Sequence, residues 1–114
     1  MKVTPVIFSL FSIYLLYTGF ARAGKPDVLD AGAECHTGNR CNFTVTIRHA
    51  DEGWNHYVDK WEAIGLEGNV LATRTLHHPH VQEQPFKRTL GNVAIPKNIN
   101  RVTIRAHDSV HGYG

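Results

Sequence analysis

Residues 43–48 read Phe-Thr-Val-Thr-Ile-Arg, with apolar and polar positions in strict alternation. A period of two puts Phe43, Val45 and Ile47 on one face of a strand and the polar residues on the other. Arg101-Val102-Thr103-Ile104-Arg105-Ala106 repeats the pattern near the C-terminus. The two apolar rows are expected to pack together. Tyr57 to Leu66 is rich in aromatic and β-branched residues and runs through Glu67-Gly68-Asn69 into Val70–Leu76. That arrangement predicts a hairpin, although the apolar positions of 57–66 also fit a helical period in part. Phe86–Leu90 and Val93–Ile95 read as shorter strands, separated by Gly91-Asn92 and stopped by Pro96, while Pro79 and Pro85 bracket an irregular connection. The chain shows no useful amphipathic helix, repeat or low-complexity tract. Five to seven short strands with close turns predict an all-β fold, a small antiparallel sandwich of immunoglobulin type, with Trp61 as its core anchor.

The first residues break this pattern. Lys2 is followed by an almost wholly apolar run from Pro5 to Phe20, and Ala21-Arg22-Ala23 has the small-residue form of a leader cleavage site. Residues 1–23 are therefore read as a signal peptide and residues 24–114 as one sandwich domain. Lys2 and Arg22 fall in the leader, which leaves ten basic residues against ten acidic ones. A neutral domain argues against nucleic acid as a partner and, once the leader is removed, against an anionic membrane surface. The expected location is periplasmic or secreted. Cys35 and Cys41 flank a Gly38-Asn39 turn, and in an oxidising compartment such a pair is expected to form a structural disulfide. The C-x5-C spacing fits neither a C-x-x-C redox motif nor a haem attachment site. Asn42-Phe43-Thr44 matches a glycosylation acceptor but opens a predicted strand.

All eight histidines lie after residue 23. His49 ends one predicted strand and His56 precedes the next. His107 and His111 follow the last, and His77, His78 and His80 cluster in a connection. A single histidine is most often a solvated surface residue. A group at strand ends is different, because loops at one end of a sandwich are where sites are built and imidazole is the commonest metal ligand. Asp108 and His111 stand three apart, with Gly112 behind them. With His49 and His56, Asp108 would make a two-histidine, one-carboxylate set suited to non-haem ferrous iron. His77-His78-Pro79-His80 is either a second chelating element for copper or zinc or a polar turn.

Two segments resemble superoxide reductase and desulfoferrodoxin. His49-Ala50-Asp51-Glu52-Gly53-Trp54-Asn55-His56-Tyr57-Val58-Asp59-Lys60-Trp61 resembles that family's iron-site segment, and Val102–Gly112 resembles its closing strand and the Cys-Asn-x-His-Gly that follows. The resemblance implies an immunoglobulin-like sandwich and a mononuclear iron held by four histidines and an axial thiolate. By position His49, His56 and His111 correspond to three of the histidines. Asp108 stands where the thiolate would be, and Ala50 replaces a proline. The fourth histidine would come from Glu34-Cys35-His36, with His80 or His107 as substitutes. A carboxylate donates less electron density than a thiolate, so the site is expected to bind a divalent ion while losing part of the family's reductive push.

Three functions compete on these grounds. The first is an exported, superoxide reductase-like iron protein acting on a small inorganic oxidant. The second is a non-catalytic copper or zinc carrier using the same end of the sandwich. The third is a protein-interaction module with histidines scattered on its surface. A hydrolase has the least support, since Ser109 lacks the strand–turn–helix setting of a nucleophile elbow.

Overall fold

The structure, a computed structural model, describes residues 3–8, 13–15 and 24–114. The strands are β1 (Val3–Phe8), β2 (Ile13–Leu15), β3 (Asp27–His36), β4 (Arg40–Arg48), β5 (Val58–Ile64), β6 (Val70–Thr75), β7 (Phe86–Ala94), β8 (Arg101–Asp108) and β9 (Gly112–Tyr113). No helix occurs among the described residues. One sheet runs β2-β1-β8-β5-β6, with β9 folded back on the end of β8, and the other runs β3-β4-β7. Every pairing is antiparallel. The two sheets pack face to face as a small β-sandwich, as the alternating pattern predicts.

The core is built from the rows that the alternation marks. Phe43, Val45 and Ile47 of β4 share one buried cluster with Val102, Ile104 and Ala106 of β8, and Trp61 is fully buried among them. The hairpin of β5 and β6 forms as a strand pair, so the helical alternative for 57–66 does not hold. Residues 86–94 differ from expectation by forming one strand rather than two. Gly91 and Asn92 form a bulge opposite Asn42, whose Oδ1 accepts the Asn92 N–H at 2.7 Å in place of a ladder bond.

β3 is the strand that the pattern does not announce. Its Asp-Ala-Gly-Ala stretch lacks the β-branched and aromatic residues that mark strands. Small residues serve here because Ala33 lies directly opposite Phe43 and Ala31 opposite Val45. Cys35 lies directly opposite Cys41 in the same hairpin, and the two form the expected disulfide. In the N-terminal region β1 pairs with the edge of β8, and Thr4 and Val6 are buried there. The cleavage pattern at 21–23 lies outside the described residues.

Two outcomes follow. Trp61→Ala should cost about 3–5 kcal/mol in urea unfolding, since no neighbour can fill the space of the largest buried ring; a loss under about 1 kcal/mol would contradict the packing described. Replacing both cysteines with serine should lower stability by roughly 2 kcal/mol. It should leave metal affinity unchanged, because the bridge sits at the other end of the β3–β4 hairpin from the site described next.

Candidate metal centre

Antiparallel order brings four strand ends together. The Asp27↔Arg48 pair places the start of β3 beside the end of β4, and Val58↔Asp108 places the start of β5 beside the end of β8. Gly24 precedes β3, His49 follows β4, His56 precedes β5 and Asp108 closes β8, so all four reach the same end of the sandwich. Between His49 and His56 the chain turns back on itself. Glu52 donates its N–H to the His56 carbonyl at 2.8 Å, and Gly53 takes a positive φ of 117°.

Asp108 lies in phase with Val102, Ile104 and Ala106, so its carboxylate points inward, fully buried. A buried carboxylate must be compensated. Its Oδ1 accepts the N–H groups of Val110 at 2.6 Å and His111 at 2.8 Å. Its Oδ2 faces three imidazoles: His49 Nε2 at 2.7 Å, His56 Nε2 at 2.8 Å and His111 Nδ1 at 3.1 Å. Burial by itself would raise the Asp108 carboxyl, but the two N–H bonds and the His111 and His56 rings outweigh it and hold the group far below the usual carboxylate range. The Gly24 carbonyl completes the cluster, 3.2 Å from His49 Nε2 and 3.3 Å from His56 Nε2.

The opposite nitrogens of two rings are also engaged. His49 Nδ1 lies 2.5 Å from Asp51 Oδ1, and His56 Nδ1 contacts Glu52 Oε1. Asp51 is itself buried and accepts the N–H groups of Val58 at 3.2 Å and His80 at 2.7 Å. His49 and His56 thus have a carboxylate oxygen against both ring nitrogens. A neutral imidazole has one N–H. Each neutral ring therefore turns one nitrogen lone pair toward a carboxylate; where Nδ1–H donates to Asp51 and Glu52, that nitrogen is Nε2, facing Asp108 Oδ2 and the Gly24 carbonyl. A lone pair facing a carboxylate oxygen under 3 Å away is repelled unless positive charge lies between them. Either both rings are protonated or a cation binds at the convergence. Burial lowers the His56 pKa, but Glu52 and Asp108 more than offset it and raise it overall. The ligand atoms of His49, His56 and Asp108 lie within 4.8 Å of one another, so the three could hold a metal ion. The carboxylates on the opposite ring nitrogens match the outer-shell partners that orient metal-bound histidines.

Not every candidate reaches this point. His49, His56, Asp108 and His111 converge. His36 does not: it ends β3 nine residues from Asp27, about 30 Å along the strand, and contacts Asn42. His107 precedes Asp108 and so points to the opposite face of the sheet, where Nδ1 contacts Asp59 at 2.7 Å and the ring packs on Tyr113. His80 lies behind Asp51, stacked on Phe86 with ring centroids 4.3 Å apart. Burial, with Arg88 and His78 nearby, lowers its pKa. Its backbone N–H braces Asp51, and Gln84 ties its carbonyl to the backbone of His49. Gly24, Asp51 and Glu52 are not among the residues that the sequence pattern marks as ligands. Asp51 two residues after His49 and Glu52 four residues before His56 are the signal that could reveal the two carboxylates.

Comparisons with known proteins add one relative. The chain is 35% identical over 90 residues to a protein of Halomicrobium mukohataei (strain ATCC 700874 / DSM 12286 / JCM 9738 / NCIMB 13541) named "Putative lipoprotein". The match covers 79% of this chain and 44% of that protein, so the chain spans less than half of the relative's length. No protein-family model matches the chain, and no solved structure matches it significantly.

Asp51→Asn should weaken metal binding about 10–100-fold while Asp108 and the three histidines stay in place, because the amide orients His49 and supports its basicity less well. Titration with Co(II) checks this, and an unchanged affinity would remove Asp51 from the site.

Proposed function

We propose that this chain is an exported mononuclear metal protein that binds ferrous iron through His49, His56, His111 and Asp108 and reacts with a small inorganic oxidant. One observation carries the reading: nitrogens of three imidazoles converge on one buried carboxylate oxygen, at 2.7, 2.8 and 3.1 Å. Imidazole with a single carboxylate is a donor set suited to Fe(II), with copper or zinc as alternative occupants. The Cys35–Cys41 disulfide and the relative's name both fit a location outside the cytoplasm, periplasmic or secreted.

The oxidant most consistent with the resemblance to superoxide reductase is superoxide. Bound ferrous iron would supply one electron, and superoxide with two protons would leave as hydrogen peroxide. The chain's own residues set the conditions. Asp108 and the Nε2 atoms of His49 and His56 form the buried floor. The His111 side chain is 37% exposed, so approach is open on its side. Asp108 offers less electron density than a thiolate would, which favours holding the metal over fast turnover.

Purified protein should carry one iron per chain after anaerobic loading, and His49→Ala or His111→Ala should abolish that stoichiometry with circular dichroism unchanged. Iron-loaded protein should consume superoxide in stopped-flow, and Asp108→Cys should accelerate that and add a sulfur-to-iron charge-transfer band when oxidised. Stoichiometric copper or zinc with no superoxide consumption would favour the carrier. Metal content unaffected by both histidine changes would defeat the proposal.

A further inference from the structure

We infer that cleavage of the leader after Ala23 converts Gly24 into a metal ligand, so that the mature N-terminus completes the centre. The inference rests on the metal-site reading above and deepens it. Three observations meet at this residue. The Ala21-Arg22-Ala23 pattern makes Gly24 the first residue of the expected mature chain. In the chain before cleavage, with β1 still paired to β8, the Gly24 carbonyl is already aimed at the convergence, 3.2 Å and 3.3 Å from the Nε2 atoms of His49 and His56. Gly24 is also fitted to its place. It has a φ of 79°, and a Cβ there would come within 2.8 Å of His111 Cε1. Any other residue would push the His111 ring away and, before cleavage, would also strain the backbone.

Covalent geometry does the rest. The nitrogen and the carbonyl oxygen of one residue are never more than about 4 Å apart. An oxygen seated at the site therefore brings its own nitrogen to the site. Before cleavage that nitrogen is a peptide N–H, a donor with no lone pair to offer a metal. Hydrolysis of the Ala23–Gly24 bond adds water across it, giving Ala23 a carboxylate and Gly24 a primary amine. The amine and the carbonyl oxygen can then close a five-membered chelate ring on one ion, beside His49, His56, His111 and Asp108. This supplies the donor that neither His36 nor His107 reaches the site to provide. It also couples assembly to export, because the complete donor set exists only after processing.

The test uses protein made as the full chain, exported and recovered from the medium or periplasm. Mass spectrometry of the N-terminus should show Gly24 first. Acetic anhydride at limiting concentration should then acetylate Gly24 at least tenfold more slowly with one equivalent of Co(II) than without it. Protein acetylated at Gly24 beforehand should bind Co(II) at least tenfold more weakly. Protection should vanish in His49→Ala, which separates ligation from mere burial of the terminus. Stoichiometric Co(II) binding with equal acetylation in both states would overturn this inference and leave the metal site standing. Processing at another bond would also overturn it. Absence of metal binding from the processed wild-type chain would overturn both.

Discussion

The structure turns on a single carboxylate oxygen. Asp108 Oδ2 sits at the end of an inward-facing row of the core and is shared by His49, His56 and His111. A charge in that position is costly unless it is compensated. The two backbone N–H bonds to Oδ1 from the β8–β9 turn do part of that, and the imidazoles do the remainder. Because Asp51 and Glu52 lie against the opposite nitrogens of two rings, each of those rings in its neutral form leaves a lone pair facing a carboxylate. An arrangement that repels itself when neutral and is relieved by a proton or a cation is one that could hold a metal ion. It differs from a surface cluster of acids and histidines, where water and mobile side chains dissipate the same repulsion.

The sandwich makes this possible by antiparallel pairing. Each hairpin returns the chain to the end it left, so the segments before β3, after β4, before β5 and after β8 share one end whatever lies in the strands between them. The opposite end holds the Cys35–Cys41 bridge. Stability and chemistry are thus separated along the strand axis, with the core of Trp61, Phe43 and Phe86 between them. The loop holding His80 and Gln84 is the exception. It reaches the chemical end and fastens Asp51 and the His49 backbone, so a segment far along the chain sets the orientation of a ligand.

Much of this was legible in the residues. The alternation at 43–48 and 101–106 gave the two central strands and their buried faces, and carried one step further it separates Asp108 from His107. Asp108 is in phase with Val102, Ile104 and Ala106, and His107 is out of phase. β3 was not legible, because its Ala and Gly residues gain strand character only from the large partners opposite them. His36 is a plausible ligand because Glu34-Cys35-His36 has the Glu-x-His form of the family it resembles, yet the ten residues of β3 carry it to the far end. The role of Gly24 was hidden for another reason. A backbone carbonyl has no sequence signature, and its position depends on β3, the strand that the pattern did not announce.

X-ray absorption at the iron edge of the loaded, processed protein addresses the centre most directly. The account predicts a shell of nitrogen and oxygen only, at about 2.0–2.2 Å, with outer-shell scattering from three imidazole rings and no sulfur. A shell with one imidazole or none, or one containing sulfur, would contradict it.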